Sequence, residues 1–370
     1  MSENIFDMLN KNISIIGTVG IPAKYGGFET LVEHLVEHLA RDYNLTVYCS
    51  SKSYPEKPSS YNHAKLKYIN LKANGIQSIA YDIISIIQSS RKSDTILILG
   101  VSGCIVLPLI KSFSRKKLIV HIDGLEWKRD KWKSYAKWFL KLSEKFAVKN
   151  ADLIIADNKV IEQYVKTTYG VQPELIAYGA DHTNKEELTA EVSSEYPFLN
   201  EKYAFNVSRI EPENNLHIIL EAFSHIQELN IVIVGNWDNS NYGRKLKFKF
   251  NTYNNIYLLD PIYNQNILNQ IRSNCYLYIH GHSAGGTNPS LVEAMNLELP
   301  IIAFGVNYNI ESTANKARYF KSPSDLIKLV RSLKKEEVET IAKDMKSIAS
   351  ERYTWKVISE QYGCLFSLES

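Results

Sequence analysis

The sequence predicts an α/β protein built of two doubly wound domains, and three observations carry that prediction. The chain has 370 residues, which at roughly 150 per domain suits two cores better than one. Short apolar runs at 13–16, 45–49, 95–99, 118–122 and 153–156 close at Gly17, Ser50, Gly100, Asp123 and Asp157, with amphipathic segments between them. Such runs are parallel strands buried on both faces. Midway the pattern fades into Asp181-His-Thr-Asn-Lys-Glu-Glu and Val192-Ser-Ser-Glu-Tyr-Pro, and then restarts. The second half offers strands at 203–207, 231–234, 256–259, 276–280 and 301–304, with helices at 214–227, 265–273 and 289–296. The expected organisation is a first Rossmann-like domain over 1–182, a second over 199–350, and a closing segment at 351–370. Two such domains face each other across a cleft, and ligands gather at the carboxyl ends of the strands.

Composition narrows the class. With 45% hydrophobic and 22% charged residues, the chain is an ordinary globular protein and not a collagen-like, disordered or disulfide-scaffold one. Lys and Arg total 43 against 40 Asp and Glu, too balanced for a surface that tracks nucleic acid. Cys49, Cys104, Cys275 and Cys364 form no Cys-x-x-Cys pair, which suits a reducing cytoplasm. The N-terminus carries acids where a signal peptide needs bases. The uncharged, largely apolar stretch 95–110 contains Gly100, Gly103 and Pro108 and falls short of the ~20 residues that cross a bilayer. It reads as a buried strand running into a helix.

Two glycine-rich turns stand where phosphate or sugar can be met. In Gly17-Thr-Val-Gly-Ile-Pro-Ala-Lys-Tyr-Gly-Gly-Phe-Glu, Gly26 and Gly27 open a helix whose face carries Phe28, Leu31, Val32, Leu35, Val36 and Leu39. Backbone N–H groups at such a start can meet an anion. The spacing is not the Gly-x-Gly-x-x-Gly of a dinucleotide fingerprint, and a simple tight turn is the competing reading. In His280-Gly-His-Ser-Ala-Gly-Gly-Thr-Asn-Pro-Ser-Leu-Val-Glu-Ala-Met, a strand ends in a loop holding Gly285, Gly286 and Thr287. Asn288 then supplies an N-cap, Pro289 the first helical position, and Glu293 a carboxylate one turn further in. That carboxylate can accept hydrogen bonds from the vicinal hydroxyls of a ribose while loop amides face a diphosphate. His280 and His282 lack a third ligand, so no metal is expected there.

These segments resemble a known family. The loop and helix ending in Glu293 are similar to the C-domain signature of family 4 of the retaining GT-B glycosyltransferases. Gly20-Ile-Pro-Ala-Lys-Tyr-Gly-Gly-Phe-Glu-Thr, Asp123-Gly-Leu-Glu-Trp-Lys-Arg and Gly285-Gly-Thr-Asn-Pro-Ser-Leu-Val-Glu-Ala-Met together resemble the branch of bacterial rhamnosyltransferases of capsule and O-antigen assembly. Ile176-Ala-Tyr-Gly-Ala-Asp resembles the end of that family's N-domain, and Tyr353-Thr-Trp-Lys-Val-Ile-Ser-Glu-Gln-Tyr its closing helix, which packs back on the N-domain.

The resemblance implies a GT-B fold and transfer of a sugar, with retention, from a nucleoside-diphosphate donor, dTDP-L-rhamnose in this branch, to a polyprenyl-diphosphate-linked saccharide. It implies neither a cofactor nor a dedicated metal. Arg209 and helix-end amides stabilise the leaving diphosphate, with the donor held by Gly26, Gly27, Gly285, Gly286, Thr287, Asn288 and Glu293. His121 faces the donor hydroxyls, and Asp123 or Glu126 orients or deprotonates the acceptor; a buried, satisfied histidine is the plainer alternative. Two departures stand out. The first Glu of the family's Glu-x7-Glu motif is Gly285 here, so loop amides or Asn288 must serve the donor sugar. The Lys that follows Arg209 by five residues is Asn214, and Lys245 or Arg244 is left to replace its charge. A UDP-sugar donor, or a non-catalytic nucleotide-sugar-binding subunit, are the other readings.

Segment 111–149 holds twelve basic residues against four acids. Trp132, Tyr135, Trp138, Phe139, Leu142 and Phe146 share one helical face, with Lys133, Lys137, Lys141 and Lys145 alongside. Such a helix can lie on an anionic leaflet, which places the protein in the cytoplasm, peripheral to the inner face of the plasma membrane. The competing reading is a domain helix whose apolar face is core.

Overall fold

A computed structural model describes residues 11–24, 26–122, 124–128 and 133–368. The chain divides into two compact units, one of residues up to 178 together with those from 355 onward, the other of 179–354.

The first unit runs β1 (Asn12–Ile16), α1 (Gly27–Leu39), β2 (Asn44–Ser50), β3 (Ser60–Tyr61), β4 (Ala64–Ile69), α2 (Gln77–Ser89), β5 (Thr95–Leu99), α3 (Leu107–Phe113), β6 (Lys117–Ile122), α4 (Ser134–Asn150), β7 (Leu153–Ala156), α5 (Lys159–Tyr169) and β8 (Glu174–Leu175). Its sheet has the order β3-β4-β2-β1-β5-β6-β7-β8, parallel throughout except for the β3–β4 hairpin. Helices cover both faces, so every residue of β5 and β6 is buried. Strand order reverses between β1 and β5, and a doubly wound sheet opens its ligand crevice at that point. Gly17 marks the turn out of β1. Its φ is +89°, and a Cβ there would lie 2.0 Å from the Leu99 carbonyl oxygen, so only glycine lets the two strand ends approach.

Beside that crevice α2 buries Asp82, whose carboxylate accepts from the Ser102 hydroxyl. Burial pushes the Asp82 carboxyl up to about 7, against a smaller downward pull from Ser102. A carboxyl raised on folding binds its proton more tightly in the native state, so stability is full below its unfolded pKa and falls as pH rises toward 7. Asp82→Asn should therefore be more stable than the parent at pH 8, by about 2–4 kcal/mol, and near parity at pH 4. Urea titrations at the two pH values measure this, and a variant weakened equally at both would refute it.

The second unit runs α6 (Ala190–Glu195), β9 (Tyr203–Val207), α7 (Leu216–His225), β10 (Asn230–Val234), α8 (Asn241–Phe250), β11 (Ile256–Leu259), α9 (Gln265–Ser273), β12 (Leu277–His280), α10 (Pro289–Asn296), β13 (Ile301–Phe304), α11 (Asn307–Ser312), β14 (Arg318–Phe320), α12 (Pro323–Ser332) and α13 (Lys335–Arg352). The all-parallel order β11-β10-β9-β12-β13-β14 reverses between β9 and β12. Its core gathers Ile219, Phe223, Ile231, Trp237, Phe250 and Ile279. The helix expected from residue 214 starts at Leu216, because 212–214 form a 3-10 turn and Asn215 is left-handed at φ +50°.

The closing helix α14 (Trp355–Ser367) belongs to the first unit. Trp355 stacks on His34 at 4.4 Å, and the Tyr43 hydroxyl donates to the Gly363 carbonyl. The α14 carboxyl end is capped by two lysines, Lys117 on the Leu365 and Leu368 carbonyls and Lys11 on those of Phe366 and Ser367. Cations there also meet the negative end of the helix dipole. Lys117 is therefore buried, and counting it in a solvated basic face is corrected. Among the described residues no helix is long and apolar enough to cross a membrane; the uncharged stretch 95–110 is β5, a turn and the start of α3.

Candidate active site

In the second unit the loops after β9 and β12 meet at the reversal point and are tied together by asparagines. Asn215 Nδ2 donates to the Gly281 carbonyl at 2.8 Å, and Asn309 Nδ2 to that of His282 at 2.8 Å. Asn214 spans both loops, donating to the Arg209 carbonyl at 2.6 Å while its Oδ1 lies 2.7 Å from His282 Nδ1. A Cβ on Gly281 would sit 2.1 Å from the Asn214 carbonyl oxygen, so the strand can end this close to the neighbouring loop only at glycine. Asn214, buried, is a strut where the family pattern has a cation. Arg209 is exposed and forms no ion pair among the described residues. Of the two candidate replacements, Arg244 is held by the Asp238 carbonyl and Asn241, while Lys245 is exposed on α8.

The loop 281–288 delivers the start of α10. Gly285 has φ +120°, Gly286 and Thr287 are buried, and Asn288 Oδ1 accepts from Ser290 N at 3.1 Å with Pro289 at the first helical position. Glu293, one turn in, is not a solvated helix residue. Its Oε2 lies 2.6 Å from Arg272 Nη1 and its Oε1 3.3 Å from His182 Nε2. Arg272 is 4% exposed and Glu293 17%. Burial pushes the Glu293 carboxyl up, but Arg272 first and His182 second outweigh it and hold it at about 2. The residues that make Glu293 an anion come from α9 and from the segment that enters the unit. That segment is stapled in place by Asn296 Nδ2 on Thr183 and by Gln270 on Thr189. His280 is buried, which drives its imidazole down to about 3, and His282 is engaged by Asn214.

In the first unit His121 closes β6, 3% exposed. Its Nδ1 lies 2.8 Å from the Tyr362 hydroxyl of α14, and Phe28 of α1 meets its ring edge-on at 5.4 Å. Burial drives its pKa down to about 3, so the imidazole is neutral. Asp123 and the side chain of Glu126, candidates for the acceptor, lie outside the described residues.

Gly26 precedes α1 and Gly27 opens it. The loop amides before them already face carboxylates: Lys24 N donates to Glu29 and Ala23 N to Glu33, which also accepts from Tyr61. A side chain at Gly26 would meet Glu29 Oε1 at 3.0 Å.

Sequence reasoning missed the anchor of the motif at 123–129. Trp127 Nε1 donates to Glu144, which also accepts from the Tyr164 and Tyr169 hydroxyls, both at 2.7 Å. Glu144 is 1% exposed and fully used. Its spacing from Leu140 and Ala147 puts it on the buried stripe of α4, the one signal that points to it.

Comparison with known proteins agrees with the fold. Residues 10–181 match a domain of unknown function, DUF1972, and residues 190–352 match Glycosyl transferases group 1. Among solved structures, sucrose-phosphate synthase from Thermosynechococcus elongatus is similar over 96% of this chain and 98% of its own, at 17% identity and a TM-score of 0.79. Anabaena HepE in complex with UDP covers 97% and 100% at 16% identity and a TM-score of 0.74. The trehalose 6-phosphate synthase of Burkholderia multivorans covers 97% and 96% at 11% identity and 0.73. No curated protein matches the sequence. Two doubly wound units, the second matching Glycosyl transferases group 1, give the chain the GT-B fold of these structural neighbours. That domain, 190–352, contains Arg209, Lys245, the 281–288 loop and Glu293.

Proposed function

We propose that the protein transfers L-rhamnose from dTDP-L-rhamnose, with retention and without a dedicated metal, to a polyprenyl-diphosphate-linked saccharide at the inner face of a bacterial plasma membrane. The observation that carries the nucleotide-sugar part is Glu293, kept ionised by Arg272 and His182 just inside the Asn288-capped start of α10. Each oxygen has one partner, which leaves lone pairs for ribose hydroxyls. The loop amides and Arg209 then meet the diphosphate. As the glycosidic bond breaks, charge grows on the departing diphosphate and Arg209 stabilises it. The same oxygens take the acceptor proton on the face the donor leaves, so positioning and fixed charge supply the catalysis. The sugar and the stereochemistry rest on the motif resemblance.

Incubating purified protein with a panel of nucleoside-diphosphate sugars and a lipid-linked acceptor tests this, with the anomeric configuration of the product read by NMR and a chelator in parallel. Transfer from dTDP-L-rhamnose with retained configuration, unaffected by chelator, is expected. Inversion or strict divalent dependence overturns it. HepE has been seen with UDP-glucose, which favours a UDP-sugar as the second reading, and the same panel separates the two.

The membrane part is supported by α4. The stripe it buries is Leu140, Ser143, Glu144, Ala147 and Val148, and its aromatic face is only partly covered: Tyr135 is 65% and Trp138 68% exposed, Phe139, Leu142 and Phe146 are half-buried, Trp132 lies outside the described residues, and on neighbouring α3 Phe113 is 83% exposed. Not every lysine of the segment is free for lipid, since Lys111 pairs with Asp152 and Lys128 and Lys141 lie over the Trp127 ring. Lys133 and Lys145 are exposed. Replacing both by Gln, with Trp138→Ala, should weaken sedimentation with anionic vesicles roughly tenfold to a hundredfold, at about 1 kcal/mol per lysine. Transfer to a short soluble acceptor should be spared. Equal loss with soluble and lipid acceptors would assign these side chains to the fold instead.

A further inference from the structure

The turn that leaves β5 lies at the reversal point of the first sheet, and its backbone has little freedom. The Val101 carbonyl accepts from the Ser143 hydroxyl of α4 at 2.5 Å, and the Gly100 carbonyl from the Cys104 thiol at 3.8 Å. A Cβ on Gly103 would sit 2.6 Å from that of Asp82, so the turn is pressed onto α2. Between these fixed points Ser102 is half-buried, and its hydroxyl meets the carboxylate of Asp82, which is 7% exposed. Among the described residues each of these two side chains is the other's only hydrogen-bond partner.

No cation acts on Asp82. Helix α2 packs against β1, β4 and the turn 104–106. Strand β1 carries no charged residue; of the β4 lysines, Lys67 reaches the Tyr48 hydroxyl and Lys65 is exposed. The titratable groups that face Asp82 are Tyr81 on its own helix and the Cys104 thiol. Burial pushes both above their ordinary values, so both stay neutral near pH 7. With no positive charge to keep it ionised, and with burial pushing it up to about 7, the Asp82 carboxyl gains and loses its proton near neutrality.

Protonation inverts the hydrogen bond. An ionised carboxylate only accepts, so it takes the Ser102 proton, whereas a carboxylic acid has an O–H of its own to place. That O–H is a stronger donor than an alcohol, and Ser102 Oγ is the side-chain atom within its reach. The serine proton then turns away. Because the backbone is held on both sides, the change lies in the hydroxyl and not in the path of the turn.

We propose that Asp82 and Ser102 form a proton-dependent donor–acceptor switch in the first unit's crevice: ionised Asp82 draws the Ser102 proton inward and leaves Oγ an acceptor for a saccharide hydroxyl, and protonated Asp82 sends that proton outward as a donor. The ligand class rests on the glycosyltransferase reading, but the switch is a property of the protein without substrate. A saccharide hydroxyl whose own proton points at Ser102 binds in the ionised state and is opposed in the protonated one, so affinity for it rises with pH.

The experiment has two arms. In the first, the full-length protein is labelled with 13C at the aspartate carboxyls, the Asp82 resonance is assigned by its loss in the isosteric Asp82→Asn, and pH is varied from 4 to 9 without ligand. The parent midpoint should fall near 7. Ser102→Ala, which removes the one hydrogen bond that favours the ionised form, should move it upward by about one pH unit, a tenfold change in proton affinity. A midpoint below pH 5, or one that Ser102→Ala leaves in place, overturns the proposal whatever the enzyme's substrate. In the second arm, KM for a short soluble saccharide acceptor should fall about three- to tenfold as pH rises through the Asp82 midpoint, as gain of one hydrogen bond implies. The dependence should vanish in both Asp82→Asn and Ser102→Ala. A flat parent profile, or one that persists in both variants, overturns the link to the crevice. If no form of the protein transfers sugar, the function is wrong while the first arm still decides the switch.

Discussion

Arg272→Met is expected to destabilise the second unit by about 3–5 kcal/mol, the usual cost of removing one partner from a buried ion pair. The guanidinium is 4% exposed and gives Nη1 to Glu293 at 2.6 Å and Nε to Asn269 at 3.0 Å. Methionine fills much of the same space, so the loss is electrostatic and not a cavity. Acid dependence gives an independent check. Glu293 is held at about 2, below the ordinary carboxylate value of 4.5, so its contribution is complete above pH ~4.5 and is lost as pH falls toward 2. In Arg272→Met that window should shrink. Urea unfolding across pH 3–7 measures both effects, and a cost under about 1 kcal/mol would mean the pair is not closed in solution. Glu293→Gln carries the same consequence, since it leaves Arg272 buried beside a neutral amide. A kinetic loss in that variant must be read beside its stability before it is assigned to ribose.

Arg209→Ala should lower kcat about a hundredfold or more, the scale seen when one fixed donor to developing charge is removed. Asn214 is committed to its two contacts as a strut and brings no charge, so under the proposed function Arg209 bears more of the diphosphate's charge than the family pattern gives one cation, with Lys245 the remaining candidate to share it. Because the side chain is exposed, the folded state should move by less than about 0.5 kcal/mol. KM should rise only modestly, since the attraction grows as the diphosphate leaves. Steady-state kinetics with the accepted donor separate the two parameters, and a change confined to KM would make Arg209 a ground-state contact.

Much of the fold was legible because buried parallel strands leave unbroken apolar runs: β5, β9, β11 and β13 lie where the runs are. Strands β3, β8 and β14, of two or three residues, are too short to leave a period, and β4 alternates Lys65 and Lys67 with apolar neighbours. At the site, Asn288, Pro289 and Glu293 were readable because helix capping is local. Arg272 and His182 were not, since they reach Glu293 from 21 and 111 residues away and no periodicity encodes that. The basic segment misled in part for a related reason. Charge counting treats every lysine as solvated, whereas Lys117 caps a helix and Lys111 and Lys141 have partners inside the protein.

The first unit is discontinuous in the chain, and this orders events during synthesis. Residues 179–354 form a contiguous unit that can fold as soon as it leaves the ribosome, whereas the earlier segment lacks α14 until residues 355–367 are made. At roughly 5–20 residues per second, the sheet waits about 10–40 s for the helix that seats Lys117 and His121. During that interval the α1 face that receives Trp355 and Gly363 is bare, and chaperones have an obvious surface to hold. A nascent chain stalled before residue 355 would carry a finished second unit and an unfinished first, with the histidine of β6 still lacking its tyrosine.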